Sequence, residues 1–208
     1  MIDAPQSVLI TADKNTYLKL PSTALDGLLF IESGIGLVEL SPCNAYSELI
    51  GVQLVKPGQW VGTACLYSKP ETVWSIRAIT FVMARYVPRD AYQHYLETLS
   101  PPVRDRAIKT ALVDVSSLLH ASYKTLSMVR NTPSDQRVLW AVTQLADAIR
   151  ATTGERDPVV KVARDILSSL AITTPETVSR SINALAAQGV LEQIPPRGLR
   201  LVRTTSTK

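Results

Sequence analysis

The sequence predicts an α+β chain in three parts. These are an antiparallel β-roll over residues 1–100, a long helix over 101–131, and a helix-turn-helix with a β-wing over 132–208. Three observations lead there. Short apolar runs separated by Pro, Gly, Asn and Ser fill the first hundred residues, as in an antiparallel barrel or jelly roll. Between Ile108 and Val129 apolar residues recur alternately four and three apart, the heptad spacing of a helix that pairs with a partner. Towards the C-terminus two short helical patterns meet at a tight turn and are followed by strand, turn and strand.

The bounds come first. The chain has 208 residues, 46% of them hydrophobic, which is ample for a core. No uninterrupted apolar run reaches the roughly 18 residues of a membrane span. The start, Met1-Ile2-Asp3-Ala4-Pro5, lacks the basic and apolar regions of a secretory signal, so a cytoplasmic protein with no membrane role is expected. The net charge is +4. From Val159 to Lys208, seven Lys/Arg stand against three acids, so this tail holds the whole excess and the body is neutral. A basic terminal unit on a neutral body suits nucleic-acid binding.

The β runs are Val8–Ile10, Leu28–Ile31, Leu37–Leu40, Leu49–Val55, Trp60–Val61, Ser75–Ile79 and Phe81–Val87. Glu32-Ser33-Gly34, Ser41-Pro42-Cys43-Asn44 and Lys56-Pro57-Gly58 supply turns. Trp60, Tyr67 and Trp74 are either pocket lining or core and rim.

Pro101-Pro102 opens the long helix. Its seam is Ile108, Leu112, Val115, Leu119, Ser122, Leu126 and Val129, with Ser122 the polar break. A helix of roughly 28 residues runs about 42 Å and cannot bury such a stripe alone. A parallel homodimer is expected, with packing on the β-roll as the alternative. Asn131-Thr132-Pro133-Ser134-Asp135 reads as a hinge. Gln136–Ala151 follows as an amphipathic helix with Val138, Leu139, Val142, Leu145, Ala146 and Ile149 inward. Val159–Val162 reads as a short strand.

The helix-turn-helix begins with Ala163–Ala171, where Ile166, Leu167 and Leu170 are apolar. The second helix has its start written out. Thr174 can cap the open N–H groups and Pro175 fits the first turn. Val178, Ile182, Leu185 and Ala186 form the apolar stripe, and Gly189 ends the helix. Glu176, Ser179 and Arg180 project together from the polar face. Arginine can bond guanine O6 and N7, a carboxylate can accept from cytosine N4, and serine can bond several base edges. Val190–Ile194, Pro195-Pro196-Arg197-Gly198 and Leu199–Arg203 read as a wing carrying arginines. The plainer alternative is a helical hairpin with a solvated charged face.

Thr173-Thr174-Pro175-Glu176-Thr177-Val178-Ser179-Arg180, with its exit at Leu185–Leu191, resembles the recognition helix of the Crp/Fnr family of bacterial transcription regulators. Leu29–Leu40 and Val55–Gly62 resemble that family's sensor roll, a cyclic-nucleotide-binding-like jelly roll, so the resemblance covers nearly the whole chain. It implies a homodimer on double-stranded DNA, with RNA polymerase as a partner. Glu-x-x-Ser-Arg resembles the Fnr branch and implies TTGA-like half-sites read by Glu176, Ser179 and Arg180. Arg164, Thr174, Thr177, Arg197 and Arg200 would meet phosphates. Pro175 stands where the Crp branch has a further base-reading arginine. The family usually has glycine in the turn, where Ile172 stands here; a β-branched residue at positive φ would be strained, unless the turn differs.

The same resemblance bears on an effector. The family's cyclic-nucleotide sensors use Gly-Glu-(Leu/Ile), then Arg-(Ser/Thr)-Ala. Here Gly62-Thr63-Ala64 lacks the glutamate, and Glu71-Thr72-Val73-Trp74 supplies no arginine for the phosphate. Arg77 matches only a later family arginine. No response to cyclic AMP is expected. A degenerate effector pocket would draw on Gly62, Thr63, Thr72, Ser122 and Tyr123, the last two where the sensors contact the ligand's base. The effector is unknown and no cofactor is predicted. Two cysteines, Cys43 and Cys65, cannot supply the four thiolates of the family's iron–sulfur sensors. Each reads as a buried small hydrophobe before a disulfide. His94 and His120 lack partners at zinc spacing, and leave only a weak haem reading. No nucleophile–base pair stands out, so an enzyme is not expected. The alternatives to a ligand-gated regulator are a constitutive DNA-binding factor that no longer senses, and a β-roll acting as a protein-interaction module.

Overall fold

The computed structural model describes residues 6–18, 27–41, 50–66 and 73–202. The side chains at 40, 41, 50, 52, 64, 65, 73 and 74 also lie outside the description. Thr72, Tyr67, Cys43 and Leu49, the Ser41–Asn44 turn beyond Ser41, and the side chains of Cys65 and Trp74 therefore lie outside the described residues.

Seven strands form the roll: β1 (Val8–Ala12), β2 (Gly27–Ser33), β3 (Gly36–Ser41), β4 (Ile50–Val55), β5 (Trp60–Val61), β6 (Val73–Ala78) and β7 (Val82–Pro88). One sheet has the order β1-β7-β2-β5 and the other β4-β3-β6, every pairing antiparallel. Period-two alternation builds the interior between them. Leu29, Ile31, Val38, Val55, Ile76, Ala78, Val82 and Ala84 share one buried cluster. Their strand neighbours Leu37, Glu39 and Arg77 then point away from that cluster. This second face of β3 and β6 is where the C-terminal helices dock.

A helix absent from the sequence reading follows directly: α1 (Arg89–Thr98). Tyr92 and Leu96, four apart, are buried with Leu28, Leu66 and Val87 and close one end of the roll. That i, i+4 pair was the available signal; next to seven strands and ahead of Pro101-Pro102 it is too short to show a period. Trp60 packs there too, its ring 5.0 Å from Phe30 and 5.8 Å from Tyr92. The rim reading of Trp60 is therefore the better one.

The long helix α2 (Pro101–Asn131) opens on its two prolines as expected. Ala107 and Ala111 pack on the cluster around Tyr92, and Thr125 is buried. The other side is bare. Leu112, Leu119 and Leu126 are 60%, 52% and 65% exposed, while Ile108, Val115, Ser122 and Val129 are half-buried. Thus the helix uses one face on the roll and keeps a leucine stripe outward.

Helix α3 (Ser134–Thr153) ends at Gly154 in the left-handed region. Helix α4 (Arg164–Ala171), helix α5 (Pro175–Ala187) and the hairpin of β8 (Leu191–Ile194) and β9 (Gly198–Leu201) complete the chain. The expected strand over Val159–Val162 is instead a single bridge, Val160 to Leu199; Leu199 already pairs with β8 on its other side, and only one residue of the incoming chain reaches the hairpin. Val138, Leu145, Ile166, Leu167, Leu170, Val178, Ile182 and Leu185 form the core of this part. That cluster also takes in Ile35, Leu37 and Ile79 of the roll, so roll and C-terminal helices share one buried core. No described helix is long and apolar enough to cross a membrane.

Candidate nucleic-acid interface

The turn between α4 and α5 keeps the shape that glycine would favour. Ile172 adopts φ 47°, ψ 65°. Its N–H donates to Ser169 O and the N–H of Thr173 donates to Ser168 O, closing the end of α4. A β-branched residue there is strained by roughly 1–2 kcal/mol. The sequence left open a different turn; the turn is retained and carries the strain.

Helix α5 starts as its residues dictate. The Thr174 hydroxyl accepts from the Thr177 N–H at 3.3 Å, and Pro175 occupies the first turn. Val178, Ile182 and Leu185 are buried, which turns Glu176, Ser179, Arg180 and Asn183 to solvent. The Arg180 guanidinium donates to the Thr177 hydroxyl at 3.1 Å, so a neutral partner steadies it and its charge stays free. Ser179 donates to its own helix at Pro175 O, 3.0 Å, a bond that a rotation about χ1 releases. Glu176 forms no ion pair with any described residue. Asn183 accepts from Gln193 of β8 at 3.1 Å, which ties the wing to the helix.

The basic residues divide into two kinds. Arg200 pairs across the hairpin with Glu192 at 3.2 Å, following the Glu192–Arg200 strand register. Arg164 at the start of α4 and Arg197 at the tip of the wing, by contrast, form no ion pair with a described residue. Burial lowers the Arg164 pKa, and the neighbouring Arg197 charge lowers it further. One terminal nitrogen of Arg164 is buried without a hydrogen-bond partner. Two guanidiniums that feel each other's charge, neither paired with a described acid, favour an anion. Thr174 and Thr177 stand at the start of α5 with their hydroxyls 3.1 Å apart.

The residues proposed for an effector pocket are less concentrated. Gly62 has φ 89° and leads into the 3₁₀ turn Thr63–Leu66, where Thr63 is buried. On α2 the Ser122 hydroxyl donates to Leu118 O at 3.0 Å, while Tyr123 is 62% exposed. Arg77, the nearest arginine in sequence, turns outward to Asp165 of α4 rather than into the roll. No cluster of three or more metal-ligating side chains occurs among the described residues.

Comparison with known proteins agrees with this architecture. No family sequence model matches the chain, and no curated protein matches it by sequence. Solved structures do. The c-di-GMP-responsive global regulator CLP of Xanthomonas campestris superposes with a TM-score of 0.78 at 18% identity, over 95% of each chain. TTHA1359 of Thermus thermophilus, a transcriptional regulator of the CRP/FNR family, gives 0.71 at 19% identity over 94% of each. FixK2 of Bradyrhizobium japonicum gives 0.72 at 15%, over 95% of this chain and 93% of its own. The chain therefore has a Crp/Fnr-like fold, shared with solved structures that include a transcriptional regulator of that family.

Proposed function

We propose that this protein is a sequence-specific DNA-binding transcription regulator of the Crp/Fnr type, with α4, α5 and the β8–β9 hairpin as its winged helix-turn-helix. One observation carries the reading. The capped start of α5 holds Glu176, Ser179 and Arg180 on an exposed face, flanked by the Arg164–Arg197 pair that lacks a counter-ion among the described residues. Arg180 bonds a guanine, Glu176 a cytosine and Ser179 a neighbouring base edge. Arg164, Arg197 and the threonine hydroxyls hold phosphates and set register. Arg200 joins them once Glu192 releases it.

The active form is a homodimer joined along α2. Its exposed leucines at 112, 119 and 126 repeat at heptad spacing and supply the apolar face a partner helix would cover. Two recognition helices about 34 Å apart then read a palindrome with TTGA-like half-sites. The protein does not respond to cyclic AMP: Thr63 replaces the acidic residue of the sensing pattern, and Arg77 is engaged with Asp165.

The test is binding to a duplex carrying TTGAT-N4-ATCAA against a scrambled duplex, without ligand and then with cyclic AMP. Preference for the palindrome, unchanged by the nucleotide, is expected. Equal affinity for both duplexes would sink the base-reading assignment, and a cyclic AMP-dependent gain would overturn the non-sensing one.

A further inference from the structure

Helix α4 is fastened to the roll by a polar cluster that DNA reading does not use. Glu39, in the middle of β3, is 1% exposed. Its Oε2 accepts from the Tyr17 hydroxyl at 3.0 Å and its Oε1 from the Ser169 hydroxyl at 2.7 Å. One donor belongs to the roll and the other to α4. Beside it, Arg77 of β6 donates to Asp165 of α4 at 2.5 Å, with its guanidinium carbon 5.7 Å from the centre of the Tyr17 ring. Asp165 and Ser169 are four apart and so lie on one side of α4.

The backbone is shaped for the same contact. Gly51 lies opposite Glu39 in the β3–β4 ladder. A Cβ at Gly51 would stand 3.1 Å from both N and Cα of Leu170. The absent side chain is what lets α4 come this close to β4.

A buried carboxylate is costly unless its oxygens are satisfied. Here full satisfaction requires α4 to be docked, because Ser169 is half of the supply. Undocking would also separate Arg77 from Asp165. The charge-assisted contacts therefore form or break together. Tyr17 stays a donor throughout: burial, and then the Glu39 charge, push its pKa up to about 12.

We infer that Glu39–Ser169 and Arg77–Asp165, seated on Gly51, form a latch that fixes the α4–α5 unit on the roll and so sets the spacing of the recognition helices in the dimer. The DNA-reading side of α5 remains exposed while the latch is closed, so the latch positions that face and does not cover it. Open, with the apolar contacts of Ile35, Leu37 and Ile79 parted as well, the unit hangs on the short Thr132-Pro133 connection between α2 and α3. A loosely held second reading head engages its half-site at a lower effective concentration. The consequence for DNA rests on the regulator reading above; the mechanical claim does not.

The test uses the full chain carrying Ser169→Ala with Arg77→Gln, and separately Gly51→Val, which wedges the seam without touching a charge. Thermal melts confirm that each variant is folded. Spin labels at Phe81→Cys on the roll and Gln188→Cys after α5, in a Cys43→Ser, Cys65→Ser background, report the roll-to-α5 distance without DNA. A narrow distribution in the parent that broadens in both variants is expected; an unchanged narrow distribution overturns the latch. On DNA, affinity for the two-half-site duplex should fall about tenfold or more in both variants, with a single half-site bound within about twofold of the parent. Equal losses on both duplexes would overturn the positioning role. A parent that ignores the palindrome while the distance still broadens would sink the regulator reading and leave the latch standing.

Discussion

The start of α5 and the seam beneath α4 are built from similar residues and behave oppositely. At α5, Glu176, Ser179 and Arg180 are close in sequence and exposed, and the bonds that Ser179 and Arg180 make stay within their own helix. At the seam, Tyr17, Glu39, Arg77, Asp165 and Ser169 come from distant parts of the chain, and Glu39 is buried. A polar group left free by its own fold is available to a ligand. One whose hydrogen bonds are completed from a distant element is structural, and its state depends on where that element sits. The same contrast runs through the wing, where Arg200 is matched by Glu192 and Arg197 at the tip has no described acid.

Leu167→Ala should have the largest effect, because Leu167 is fully buried in the core common to roll and helices. A loss of roughly 2–5 kcal/mol in urea unfolding is expected. A loss below about 1 kcal/mol would mean that this site collapses around the deletion. Arg180→Ala acts on the reading face alone. It should cost roughly 1–3 kcal/mol in binding to the palindrome and relax preference at one base, while stability is kept. Arg197→Ala should instead weaken specific and scrambled duplexes alike and lower the salt slope by about one. If the two variants gave the same pattern, the division into base-reading and phosphate-holding residues would fail.

The seam carries a pH signature at Asp165. Burial would raise the Asp165 carboxyl, but the Arg77 hydrogen bond and charge outweigh it and hold the group below the usual carboxylate range. A depressed folded-state pKa contributes stability above the ordinary carboxylate value, and this is lost as pH falls through the depressed one. The Arg77–Asp165 contact should therefore be pH-independent around neutrality and weaken only in acid. Arg77→Gln should raise the Asp165 titration midpoint, read from its carboxyl carbon by NMR; an unmoved midpoint would show that Arg77 does not hold it. The smallest effect belongs to Ile172→Gly. Relief of the left-handed strain, roughly 1–2 kcal/mol, is offset by the entropy that glycine adds to the unfolded chain, roughly 0.5–1 kcal/mol. A net gain between zero and about 1.5 kcal/mol is expected in urea unfolding. A loss would show that the Ile172 side chain, and not the backbone bonds, sets the turn.

Elements with local signatures were legible. Two prolines opened α2, Thr174-Pro175 opened α5, Gly189 closed it, and the strand runs fell close to their observed positions. Each rests on capping or periodicity within a few residues. Helix α1 was missed because its ten residues sit between a strand and a proline pair and bury only Tyr92 and Leu96. Val159–Val162 looked like a strand because its residues are largely β-branched and apolar. It forms a single bridge because a strand needs partners along its length, and those are not local.

Spacing along single elements was enough to give the order of the parts, the start and polar face of α5, and the leucine repeat of α2. Which charges are free was settled only when the chain folded. Glu39 is a lone acid in an apolar strand, and Arg77 a lone base in another. Nothing near either names its partner, because the carboxylate meets Ser169 130 residues away and the guanidinium meets Asp165 88 residues away. Whether a charge waits for a ligand or closes a seam depends on which distant groups the fold brings to it, and short-range spacing carries no record of that.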